Sequence, residues 1–425
     1  MSLWMKAGKT RVEGGADSTM RRRPLLGRLA ALTAVLVGVP VLTLGLTGGN
    51  AAASGTGQVS IYTGPGISDP VGITAGPDGA LWFNNFTGNT SIGRISTTGK
   101  VTTYSAAHMS PNFAITAGPD GALWFGNIEF DSIGRITTAG AITLYRGSGI
   151  SNPQGGITAG PDGALWFTND TNPGSIGRIT TAGVVTNYTD ASISYPSGIA
   201  AGPDGALWFT NGGNASIGRI TTAGVVTNYT GPGISSPEGI TAGPDGALWF
   251  TNVHSASIGR ITTAGVVPYY GAGINYPLEI ATGPDGAIWF TSDSRAIGRI
   301  TTAGLVTVYT DPGIFSNLAG ITAGPDGAMW FTSRFSPLIG RITTIVTPRI
   351  ISVAPRSGAV GTTITITGRN LARAIGVAFN GTAATIVSDT STHIVVTVPD
   401  GATTGHVSVT TRAGTATSNG TFRVT

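Results

Sequence analysis

No cysteine occurs among the 425 residues, which excludes disulfide staples, thiolate nucleophiles and any zinc site that needs a Cys ligand. Charge is scarce as well: Lys, Arg, Asp and Glu together make up 10% of the chain, and there are four histidines. The sequence pI near 9.5 suggests an affinity for nucleic acid, but the position of the charges removes that idea. Residues 1–53 hold seven basic side chains (Lys6, Lys9, Arg11, Arg21, Arg22, Arg23, Arg28) against Glu13 and Asp17, and the rest of the chain has 17 basic and 18 acidic groups. With no basic run beyond the N-terminal segment, there is nothing to neutralise a row of phosphates. P-loop, dinucleotide-fingerprint, H-E-x-x-H and G-x-S-x-G motifs are also missing.

What the chain has in quantity is glycine and regularly placed apolar residues: 66 Gly, 24 Pro and 40% hydrophobic side chains. That composition suits a turn-rich β protein with a buried core, not a disordered one. The N-terminal surplus of positive charge reads as an export signal. Arg21–Arg23 and Arg28 precede an apolar stretch from Leu29 to Leu46, and Ala51-Ala52-Ala53 offers small residues for cleavage. Residues 1–53 are therefore expected to be a leader with the signal at about 20–53. The mature protein is expected to start near Ser54, to be secreted or displayed at the cell surface, and to lack a membrane anchor.

Seven tryptophans, Trp82, Trp124, Trp166, Trp208, Trp249, Trp289 and Trp330, stand 42, 42, 42, 41, 40 and 41 residues apart. Each is embedded in G-P-D-G-A-L-W-F-T or a close variant. A period near 41 belongs to propellers or helical arrays, and here each unit contains four short β-like pieces without helical periodicity. In the fifth unit these are Gly239 to Ala242, Ala247 to Thr251, Ser257 to Thr262 and Val266 to Tyr270. Gly-Pro-Asp-Gly and Thr-Ala-Gly supply the turns between them. Apolar residues fall on both faces of the second piece, Ala247 and Trp249 on one and Leu248 and Phe250 on the other, so each sheet must lie between neighbours. The spacing predicts an all-β, seven-bladed β-propeller of four-stranded blades over residues 54–346. "QVSIY" (58–62) precedes the first unit and the last unit lacks a fourth strand, so the N-terminal strand is expected to complete the last blade. From 347 to 425 tryptophan vanishes and short alternating strands at sandwich spacing predict a separate Ig-like β-sandwich.

The recurring P-x-G-I-T, G-P-D-G-A-L-W-F-T and I-G-R-I-T motifs resemble the virginiamycin B lyase (streptogramin B lyase) family. The C-terminal "SVAPRSGAVGTTITITGRNL" and "VPDGATTGHVSV" resemble the IPT/TIG domain. The first resemblance implies a seven-bladed propeller and a carbon–oxygen lyase that opens a cyclic depsipeptide by Mg²⁺-assisted elimination. It also implies a base histidine at the variable position of the last P-x-G-I, with a metal-binding glutamate two residues earlier. A substrate-binding histidine is implied one blade before, and a second metal-binding glutamate after W-F-x in the last blade. Those places read Leu318 or Ala319 for the base, Ser316 or Asn317 and Ser333 for the metal, and Leu278 for the substrate histidine. An alkyl side chain takes no proton, and hydroxyl and amide groups are poor Mg²⁺ anchors.

In such a blade the turns of one face repeat while the second-to-third and interblade loops of the other vary, from "NNFTGNT" to "TSRFSPL". Ligand recognition is expected on the varied face. The once-per-blade aspartates and arginines are expected to be structural. The unrepeated candidates are Glu238 and Glu279 as metal ligands, His254 as a catalytic base, and Tyr195 and Tyr276 as ligand contacts. These residues fit an extracellular monomer that acts as a ligand-binding or scaffold protein, with a small-molecule, peptide or carbohydrate ligand on the varied face. The alternative is a divergent Mg²⁺-dependent carbon–oxygen lyase.

Overall fold

A computed structural model describes residues 58–425 apart from 88–89, 272–274, 311–313, 315–316, 345–347, 373, 391 and 412–413. The expected leader (1–53) and Ser316 lie outside the described residues. Blades begin with a proline-led strand, except the third, which begins at Ile157, and the seventh, which begins at Leu318. Blade one is Pro70–Ala75, Leu81–Asn85, Ser91–Ile95 and Val101–Tyr104, and blade five is Pro237–Ala242, Ala247–Asn252, Ser257–Thr262 and Tyr269–Gly271. Seven such four-stranded antiparallel sheets form, each a meander. In the seventh the chain's own three strands, Leu318–Ala323, Ala328–Ser333 and Leu338–Thr343, are completed by Val59–Thr63, with Val59 opposite Ile342 and Thr63 opposite Leu338. Sequence-distant ends thus share one sheet, as the missing fourth strand required.

Burial follows the two-faced pattern of the second strand. Leu248 and Phe250 pack with Trp208, Ile217 and Ile240, whereas Trp249 packs with Ile280, Ile288 and Phe290 of the next blade. All seven tryptophans are fully buried. Glycine is needed in the third strand because the phenylalanine opposite lies flat across it: a Cβ on Gly259 would stand 2.1 Å from Phe250 Cζ. In the first turn Gly246 takes φ +74°, open to glycine at no steric cost.

Two departures from the expected strands have local causes. The fourth strand of blade five covers only Tyr269–Gly271, because Pro268 has no N–H to give the ladder and only its carbonyl accepts, from Arg260 N. In blade three the first strand covers only Ile157–Ala159, where "PQGGI" puts two glycines before the isoleucine and Gln154 N–H bonds locally to Asn152 O. One 3₁₀ turn, Ile128–Phe130, interrupts the β pattern in a varied loop.

The C-terminal sandwich has a four-stranded and a five-stranded sheet. Its core is drawn wholly from residues 350 to 424, including Ile364, Ile366, Val407 and Val409, with Phe379 and Phe422 edge to face at 5.0 Å.

Candidate functional site

The repeated residues account for themselves first. In each blade one oxygen of the turn aspartate accepts the tryptophan Nε1–H and the other accepts the strand arginine Nε–H. In blade four, Trp208 reaches Asp204 Oδ1 at 3.0 Å and Arg219 reaches Oδ2 at 2.7 Å. All seven aspartate–arginine pairs recur with the same geometry. Burial works against the Asp204 carboxylate, but the Trp208 and Arg219 donors outweigh it and hold its pKa below the ordinary value. The fourth-strand tyrosine stacks on the same indole, Tyr229 on Trp208 at 5.3 Å. The aspartate carboxylate and the indole are thus held together by two side-chain hydrogen bonds and a ring stack in each blade.

The ending of W-F-T-N has a structural task as well. The threonine hydroxyl crosses to the next blade and donates to the carbonyl of the variable residue in its P-x-G-I: Thr210 to Glu238 O at 2.6 Å, Thr251 to Leu278 O at 2.7 Å and Thr291 to Ala319 O at 2.8 Å. Thr332 closes the ring onto Val71 O. The asparagine ties the incoming loop down, as Asn252 accepts Ser235 N–H and donates to Gly233 O and Ser257 Oγ.

These bonds fix the equivalence of positions that the sequence left open. Leu318 pairs with Ser333 as Pro237 pairs with Asn252, so Leu318 fills the proline place. Ala319, 2% exposed and the acceptor for Thr291, is the variable residue of the last blade, and Asn317 precedes it by two.

First-strand residues at and beside the glycine position of P-x-G-I border an axial channel of about 120 Å³ whose walls include Gly72, Phe113, Gly156, Gly198, Glu279 and Gly320 from six blades. The acidic residue in its wall is Glu279, and Glu238 lies on the first strand of the preceding blade. Water touches part of each side chain, yet protein surrounds both in depth. Burial raises the Glu238 pKa against the Ser197 hydroxyl, which donates to Oε1 at 2.9 Å, and Asp170 adds repulsion. Glu279 is pushed up to about 7, by burial first and the Glu238 charge second. Glu279 stands where other blades have the glycine of P-x-G-I, which is why its carboxyl enters the channel wall. Asp170, in the "TNDTNPG" loop, is raised by burial against a hydrogen bond from Gln154.

The remaining candidates are placed differently from expectation. His254 is exposed, its Nδ1 2.5 Å from Ser236 Oγ. Among the described residues no three His, Asp or Glu side chains are grouped to hold one metal ion, so the structure does not bring His254, Glu238 and Glu279 together as a metal site. The reason lies in the strand path: Glu238 and Glu279 belong to channel-lining strands, whereas His254 belongs to a loop between the second and third strands. Tyr195 and Tyr276 both take a left-handed φ, +46° and +47°, before their prolines, and their carbonyls accept from Gly212 and Asp293. Asp69, Asn152, Ser236 and Asn317 repeat this conformation, so the position is a property of the blade. Tyr276 nonetheless presents its ring to solvent, 57% exposed, while Tyr195 is half-buried.

One group on the varied face escaped sequence reasoning. Arg334, from "TSRFSPL", holds its guanidinium carbon 5.4 Å from the Phe86 ring, 5.1 Å from Phe113 and 4.9 Å from Phe335. The only signal was an arginine outside the repeated I-G-R-I position.

Compared with known proteins, residues 51–191 and 150–347 match the virginiamycin B lyase family, and residues 348–424 match the IPT/TIG domain. Among solved structures, a streptogramin B lyase is 33% identical, covering 68% of this chain and 98% of its own, with a TM-score of 0.62. Selenomethionine-substituted virginiamycin B lyase from Staphylococcus aureus is 35% identical over 68% of this chain and 100% of its own, with a TM-score of 0.62. A catalytically inactive histidine-to-alanine variant of the S. aureus enzyme with quinupristin gives 35%, the same coverages and 0.63. No curated protein matches the chain.

Proposed function

The chain belongs to the virginiamycin B lyase family, and from that premise we propose that it is a secreted propeller that binds an extracellular ligand on its varied face without performing the family's elimination. The observation that carries this reading is Ala319. The resemblance puts the proton-abstracting histidine there, and the Thr291 hydrogen bond fixes the position. A methyl group cannot accept a proton. The neighbouring positions agree, since Asn317 and Ser333 replace the two implied metal-binding carboxylates and Leu278 replaces the substrate histidine. Ser333 is fully buried within the sheet. Residues of this kind do not fit Mg²⁺, a hard cation that is held through carboxylates and water, so no step is assigned to it.

What supports binding is the retained architecture of the mouth. The axial channel has Glu279 in its wall, the loops of the varied face differ from blade to blade, and Arg334 on that face packs against Phe113, which also lines the channel. A small molecule, peptide or carbohydrate fits such a concave, polar-rimmed surface.

A second reading has one observation in its favour. Glu279, poised near neutrality, has the proton affinity of a general base, so a divergent carbon–oxygen lyase would work through Glu279 with Glu238 beside it.

Incubation of the mature protein with a streptogramin B, with Mg²⁺ or EDTA, separates the two. The expected outcome is no change in the antibiotic by mass spectrometry and chromatography. A linearised product of unchanged mass would overturn the proposal, and its loss in Glu279→Gln would establish the second reading.

A further inference from the structure

Arg334 is placed as few arginines are. All ion pairs among the described residues belong to the repeated aspartate–arginine set, and Arg334 is in none of them. Its Nε is buried without an acceptor. A guanidinium has five N–H donors and is always charged, so burying an edge of it unpaired is costly unless something else holds the charge. Here three phenylalanine rings do so, through their negative faces. Burial presses the arginine's pKa downward, with the Asp69 charge opposing. Asp69 acts on the group only through its charge and forms no ion pair with it; its oxygens accept from Phe335 N–H at 3.0 Å and Thr87 Oγ1–H at 2.9 Å.

That same Phe335 bond fixes the cage. Phe335 adopts φ +58°, an unusual conformation for an aromatic residue, and leaves its ring 63% exposed. Arg334 N–H donates to Asn317 O at 2.8 Å, which anchors the loop to the seventh blade. Phe86 and Phe113 come from blades one and two, and Phe113 also lines the axial channel. The result is a rigid cation at the channel mouth, gripped on its aromatic sides, with a solvent-facing ring beside it and no protein anion bound to it.

We infer that Arg334, Phe86, Phe113 and Phe335 form a subsite for an organic carboxylate carried next to an aromatic ring. The carboxylate is taken by the guanidinium's terminal nitrogens and the ring by Phe335. The planar donor pair of arginine matches a carboxylate's two oxygens, and an exposed phenylalanine adds nothing to recognition of a bare inorganic anion. The inference rests on the varied face being the ligand face and deepens that reading by naming a ligand class.

The test is isothermal titration of the mature protein with N-acetylphenylalanine, its amide, acetate and inorganic phosphate. Saturable binding of the acid, with none for the amide and weaker binding of acetate and phosphate, is expected. Arg334→Gln should weaken the acid at least about tenfold and Phe335→Ala several-fold, while Arg334→Lys retains part of the affinity. Phe335→Ala removes only an exposed ring, so it reads the site even if Arg334→Gln does not fold. No saturable binding by the wild type, equal affinity for acid and amide, or unchanged affinity in a folded Arg334→Gln would each overturn the subsite. None of these bears on the streptogramin assay, so the subsite and the non-lyase reading fail separately.

Discussion

At the scale of single residues, charge in this protein is used in two opposite ways. The blade aspartates are held ionised. In Asp204 burial is outweighed by the Trp208 and Arg219 donors, so the native pKa lies below the ordinary 3.8. A depressed carboxylate contributes stability that is complete above the unfolded pKa and is lost as pH falls through the native one. Asp204→Ala should therefore cost about 1–3 kcal/mol at pH 7, and the gap to wild type in urea unfolding should narrow as pH falls through the depressed native pKa. Glu279 runs the other way. Its native pKa of about 7 exceeds the ordinary 4.5, so the protein is favoured below the lower value and loses stability as pH rises through the higher one. Glu279→Gln should then flatten the decline between pH 4.5 and 7.5 and stabilise the fold at pH 8 by about 1–3 kcal/mol, less where channel water screens the charge. Thermal melts across that range check the sign; a steeper decline in the variant would contradict it.

At the scale of the element, the blade is held twice, by apolar faces and by threonine crosslinks. The tryptophan and phenylalanine faces are visible in the sequence because a strand alternates sides, and a doubly buried strand is apolar on both. The crosslinks are not, since a threonine reads equally well as a strand former. In the structure Thr251 Oγ1 donates to Leu278 O and accepts Gly239 N–H at 3.0 Å, with no exposure to water. Thr251→Val keeps the shape but strands both partners, at an expected cost of about 2 kcal/mol in chemical denaturation. A change within error would mean that water replaces the hydroxyl.

At the scale of the whole molecule, closure is the organising event. The first described strand, Val59–Thr63, covers the edge that Leu338–Thr343 would otherwise expose. An uncovered strand edge pairs with other chains, so a protein that begins at residue 64 should aggregate and melt at least about 10 °C lower. Size-exclusion chromatography and calorimetry read both effects, and an unchanged melt would show that the ring does not depend on its latch. The sandwich should be indifferent to this deletion, because its core draws on no propeller side chain.

The number of blades, the four-stranded unit, the borrowed strand and the change of domain near 347 were all legible in the order of residues. Each follows from local rules, namely turn residues that set φ and side chains that alternate across a strand, repeated until the count must close. Only the tertiary structure decided the site. Ala319 could not be told from Leu318 until the Thr291 bond fixed the register of the first strand. Glu279 lines the channel and feels the charge of Glu238 on the neighbouring blade, while His254, only two residues after the buried Asn252, lies in a loop of its own. Arg334 became visible as a cation in an aromatic cage only when blades seven, one and two met, since Phe86 and Arg334 lie almost a full circuit of chain apart. A ring brings distant residues together by closing, and no window of sequence contains that proximity.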